Sequence, residues 1–135
     1  MSFGQAVRTC FNKYANFEGR ASRAEFWWFY LFTILATFVV YLIPFIFAML
    51  STAIGDNFLG TIFGILAALG FVLVVVVALG LIIPMLAVGC RRLHDRGQSG
   101  WLQLLILVPC GNLVLLVFWI MEGTPGDNAY GPQQA

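Results

Sequence analysis

The chain has 135 residues, of which 61% are hydrophobic, 16% aromatic and only 10% charged, with a formal net charge of +1. Soluble domains carry about 25% charged residues, so the composition excludes a water-soluble globular fold, and it offers no basic surface for nucleic acid. The three cysteines, Cys10, Cys90 and Cys110, are widely spaced, which supports neither a disulfide framework nor a metal site.

Residues 1–21 read as an amphipathic, membrane-surface segment. Phe3, Val7, Cys10, Phe11 and Tyr14 fall on one helical face, with Arg8, Asn12 and Lys13 opposite. Their dispersed apolar positions do not make a signal peptide. Ser22 and Glu25 stand at capping-box spacing, so the first membrane helix is expected to begin there. Trp27, Trp28 and Tyr30 suit the headgroup level.

The first span is expected over about residues 26–50, with Pro44 kinking its far end, and Ser51–Asn57 is a short polar turn. The uncharged run 58–90 is long for one crossing and short for two. It is read as one crossing over about 67–90, with 58–66 in the far interface; two spans are the alternative. Gly60, Gly64 and Ala68 form a small-residue stripe that allows close helix approach, within the chain or in a homo-oligomer.

Gly97 is expected to end the second span and Ser99 to cap the third, over about 101–121. A break at Pro109–Asn112, containing Pro109 and Gly111, interrupts that third run. Its length matches one bilayer thickness, which points to a kinked crossing; a re-entrant hairpin is the alternative. The tail, 122–135, is rich in turn formers and is expected to be irregular. The expected architecture is therefore all-α, a single polytopic membrane domain with three transmembrane helices and an N-terminal interfacial helix.

All seven basic residues precede the first span (Arg8, Lys13, Arg20, Arg23) or lie between the second and third (Arg91, Arg92, Arg96). With three crossings, the positive-inside rule places the N-terminus in the cytoplasm and the tail outside.

Four motifs occur in order: YANFEGRASRAEFW, RRLHDRGQSGW, the Pro109–Gly111 break and GTPGDNAYGP. Together they resemble the YhaH-like family of small bacterial inner-membrane proteins, defined as domain of unknown function 805. The resemblance covers nearly the whole chain. It implies a bacterial cytoplasmic-membrane protein with basic cytoplasmic motifs and no established activity.

Arg20, Arg23, Glu25, Arg91, Arg92, His94, Asp95 and Arg96 are expected to gather at one interface. Two readings stand: a pocket for an anionic lipid headgroup or a partner, and an internal ion-pair network. Glu25 then completes the Ser22 capping box, and Asp95 pairs with an arginine. His94–Asp95 as a membrane enzyme on phosphorylated lipid is a weaker reading, because adjacent helical residues do not face each other. The sequence points to no catalytic residue, metal or cofactor. The leading expectation is a non-enzymatic membrane protein in contact with lipid. The second is a transporter or channel subunit, with Pro84 and the Pro109–Gly111 break lining a cavity. The spans carry no ionisable residue at mid-depth, which weighs against an ion pathway.

Overall fold

The computed structural model of the chain describes residues 1–134, and these are helical apart from turns and one short bridge between Asn128 and Gly131. The α-helices are α1 (Phe3–Asn12), α2 (Arg23–Ile54), α3 (Phe58–Asp95) and α4 (Gly111–Ile120), with a 3-10 segment, Gly100–Leu107, before the last. The chain divides into two compact units. One contains Met1–Leu31 and the chain from Ile82 onward; the other is Phe32–Leu81.

Phe32–Leu81 contains the latter part of α2 and the first part of α3. Gly55, at φ +89°, closes α2, and its N–H donates to the Ser51 carbonyl. Asn57 starts α3: its Oδ1 accepts from the Gly60 N–H at 2.9 Å, a normal N-cap arrangement. A Cβ on Gly60 would sit 2.0 Å from the Gly55 carbonyl oxygen, so this turn requires glycine there. Ser51 Oγ donates to the Gly60 carbonyl at 2.8 Å and lies beside Gly64. The first two members of the small-residue stripe are thus taken up by the chain itself, while Ala68 is exposed. Pro44 is buried against Gly70 and sits inside α2, which continues ten residues past it to Ile54.

Among the described residues, α2 and α3, with 32 and 38 residues, are the two helices long and apolar enough to cross a membrane. The run from Phe58 is one helix to Asp95, without the break that two spans would need.

The expected third span is not one continuous helix. α4 has ten residues, about 15 Å at the usual rise, against a hydrocarbon core of about 30 Å. The 3-10 segment and α4 instead pack against each other as a hairpin. Its tip is the break at Pro109: Cys110 adopts φ +63°, and a Cβ on Gly111 would lie 1.8 Å from the Leu105 carbonyl oxygen. Proline stops the first arm, and the left-handed residue followed by glycine turns the chain tightly enough for the second arm to return. Residues 119–124 come back beside Arg92, Asp95 and Arg96.

α1 is shorter than the expected 1–21 segment. Ser2 and Gln5 form a reciprocal capping box, and the helix ends at Asn12. Ala6 and Cys10 are fully buried, whereas Arg8 and Asn12 are exposed. Phe3 meets Trp28 edge-on at 5.9 Å and Phe11 meets Phe29 at 5.7 Å, so α1 docks its apolar face on the start of α2.

Candidate functional site: a buried arginine clasp

The first unit brings the N-terminal loop, the end of α3 and the tail together around three buried arginines. Arg20, Arg91 and Arg92 are at most 3% exposed, and so is Glu25; Asp95 is 5% exposed. Charges this deep are tolerated only when their donors and acceptors are used.

Arg20 is used fully. Its Nε donates to Asp95 Oδ1 at 2.8 Å, and its Nη1 and Nη2 donate to the carbonyls of Gly126 and Thr124, both at 2.8 Å. The tail therefore wraps the guanidinium with backbone oxygens. Asp95 is shared: Oδ1 faces Arg20 and Oδ2 accepts from Arg92 Nη1. The remaining Arg92 donors reach the carbonyls of Trp119, at 3.1 Å, and Met121, which close the hairpin. The Asp95 backbone carbonyl accepts from the Thr124 N–H at 2.8 Å. A Cβ on Gly123 would lie 2.1 Å from Asp95 Oδ2, so the returning chain passes directly over the carboxylate.

A second pair lies beneath α1. Arg91 Nη1 donates to Glu25 Oε1, and the Cys10 thiol stands 3.8 Å from the same oxygen. Burial, followed by the Glu25 charge, pushes the Cys10 thiol up from its ordinary value to about 12. Ser22 Oγ accepts from the Glu25 N–H at 3.2 Å and so caps α2. The Glu25 carboxylate is engaged by Arg91 across the unit. Arg91 Nε and Nη2 find no hydrogen-bond partner among the described residues.

The remaining predicted residues lie around this clasp. Arg23, 53% exposed, is 3.5 Å from the well-exposed Glu122, a pair that water screens strongly. Arg96 donates to the Glu122 carbonyl at 2.9 Å. Gly97, at φ +73°, ends α3, and Ser99 Oγ accepts from the Trp101 N–H at 3.3 Å to begin the 3-10 segment. A pocket of about 550 Å³ opens beside Arg23, Glu122, Thr124 and Gln133.

His94 and Asp95 diverge. Asp95 faces the arginines, whereas His94 Nδ1 lies 2.9 Å from the Gly19 carbonyl and its ring stacks on Tyr130 at 4.0 Å. The neighbour of His94 that the sequence reading missed is Cys90, whose Sγ is 3.6 Å from Nε2. The four-residue spacing on one helix was the available signal. The tail was also underread: Thr124, Gly126 and Tyr130 hold Arg20 and His94. Pro84 is buried and Pro109 exposed, and neither lines the pocket beside Arg23 or the one beside Cys90 and His94.

Comparison with known proteins agrees with this arrangement of motifs. Residues 14–132 match the family described as "Protein of unknown function (DUF805)". The inner membrane protein YhaH of Escherichia coli (strain K12) is 42% identical over 122 residues, 88% of this chain and 87% of that protein. The inner membrane protein YhaI of the same strain is 38% identical over 119 residues, 87% of this chain and 85% of that protein. No solved structure matches the chain. With the family match spanning all four motifs and two helices able to cross a bilayer, the chain is a membrane protein that belongs to the DUF805 family.

Proposed function

We propose that the chain is a non-enzymatic protein of the bacterial inner membrane whose basic face lies in the cytoplasm and associates with anionic lipid headgroups. In this topology α2 and α3 cross once each, and the hairpin re-enters. The N-terminus, the α3 end and the tail then share the cytoplasmic side, as the positive-inside rule requires.

The observation that carries the reading is the sorting of cations. All seven Lys and Arg belong to the unit built from Met1–Leu31 and the chain from Ile82 onward. Within it Arg20, Arg91 and Arg92 turn inward, while Arg8 and Arg23 are exposed and Lys13 and Arg96 partly so. The inner group holds the fold, and the outer group meets the headgroup layer. Arginine there can grip phosphate with two donors.

The test is lipid retention by the full chain, extracted from membranes and measured by native mass spectrometry against mixed phosphatidylglycerol and phosphatidylcholine. The triple variant Arg8→Gln, Lys13→Gln, Arg23→Gln removes three cations, each worth about 1 kcal/mol at an anionic surface. Preference for the anionic lipid should fall about a hundredfold and weaken with salt. Unchanged preference would refute the reading.

A further inference from the structure

We propose that Cys90 is an S-acylation site that accepts a long fatty-acyl group from a fatty-acyl thioester, with His94 as the base and the adjoining apolar pocket as the seat of the chain. This stands apart from the headgroup reading, which concerns other residues.

The pair is built for proton transfer. Cys90 and His94 are one turn apart on α3; Sγ lies 3.6 Å from Nε2 and 3.5 Å from the Phe17 carbonyl oxygen, which accepts from the thiol. The atom facing His94 Nδ1, at 2.9 Å, is the Gly19 carbonyl oxygen, which can only accept. Nδ1 is therefore placed to donate to that carbonyl, which leaves Nε2 as the ring nitrogen facing the thiol. Stacking on Tyr130, 4.0 Å away and within 2° of parallel, holds the ring plane. A thiol is a weak nucleophile until a base takes its proton.

The surroundings select the acyl donor. Cys90 and His94 line a pocket of about 680 Å³ with Leu86, Trp101, Leu104 and Leu107, and no charged side chain lines it. That volume and mostly apolar wall are those of a ligand site. Gln103 Nε2 donates to the Leu86 carbonyl at 3.0 Å, so the 3-10 segment runs back along α3 from the Cys90 level. The polar groups His94, Ser99 and Tyr130 cluster at the helix end, and the leucines lead away from them. A chain with a reactive carbonyl at one end fits this polarity, whereas a charged ligand does not. A Cβ on Gly100 would lie 2.1 Å from Cys90 Sγ, so glycine lets the pocket wall close against the thiol. Cys90 is buried like Cys10, but Cys10 lies on the inner face of α1 against Glu25, Cys110 sits exposed at the hairpin tip, and neither lines this pocket.

In the step, His94 Nε2 takes the Cys90 thiol proton as Sγ attacks the thioester carbonyl. The new Sγ–acyl bond forms, the donor's carbon–sulfur bond breaks, and the imidazolium returns its proton to the departing thiolate. One thioester replaces another, so no oxidant or reductant is required. Cysteines at the membrane boundary are known acceptors of such groups.

The test uses the full chain in mild detergent, incubated with a long-chain alkynyl acyl-coenzyme A, digested and mapped by mass spectrometry. Thermal unfolding checks that each variant is folded. A hydroxylamine-sensitive adduct on Cys90 is expected, absent from Cys90→Ala and retained in Cys10→Ala and Cys110→Ala. The initial rate should fall about a hundredfold in His94→Gln, the scale of a lost general base. Absence of an adduct at Cys90, or a rate unchanged in His94→Gln, would overturn the proposal.

Discussion

Asp95 carries more of this fold than any other acidic residue, because two buried guanidiniums share its carboxylate. Asp95→Asn leaves Arg20 and Arg92 buried without the carboxylate that both pair with. Breaking a buried pair costs about 3–5 kcal/mol, so thermal unfolding in detergent should move sharply downward; an unchanged midpoint would show that the clasp contributes little. The thiol of Cys10 gives a pH-dependent counterpart. With its value raised to about 12, the neutral form is native. Its contribution to stability is complete below the ordinary thiol value, near 9, and lost as pH rises toward 12. A maleimide at pH 8 should therefore leave Cys10 unlabelled in the folded chain and label it fully in denaturant.

At the level of elements, the hairpin depends on a few atoms at its tip. Gly111→Ala places a methyl group 1.8 Å from the Leu105 carbonyl oxygen, a clash with backbone that cannot swing aside. Overpacking of this kind costs about 1–3 kcal/mol. The variant should unfold at lower temperature, and protease should cut the tail sooner because residues 119–124 lose their anchorage. Asn112→Ala, at an exposed neighbour, should do neither. α2 and α3 were legible because long uncharged runs bounded by charge leave few other structures for a membrane. Gly97 and Ser99 likewise carried plain stop and start chemistry. The 3-10 segment and α4 were not legible as a hairpin, since an apolar run of 21 residues has the same composition whether it crosses or returns. Its only cue was the proline and glycine at mid-run, which also fits a kinked crossing.

For the whole molecule, sequence located the cations and their gathering place but not their division of labour. Arg20 is held largely by carbonyls of the tail, and a carbonyl leaves no mark in a sequence. The pairing of Arg92 with the hairpin's end was hidden for the same reason. These contacts turn a charge-rich loop into a clasp that ties the tail to the end of α3, and we propose that this clasp keeps the tail on the same side of the membrane as the basic residues, the cytoplasmic side in the proposed topology. A fluorescent reporter that matures only in the cytoplasm, fused after Ala135, tests it directly. The account predicts bright cells, with the same orientation from a periplasm-dependent enzyme fused at that point remaining inactive. A dark reporter together with an active periplasmic enzyme would mean that the last segment crosses the membrane, and would contradict the account.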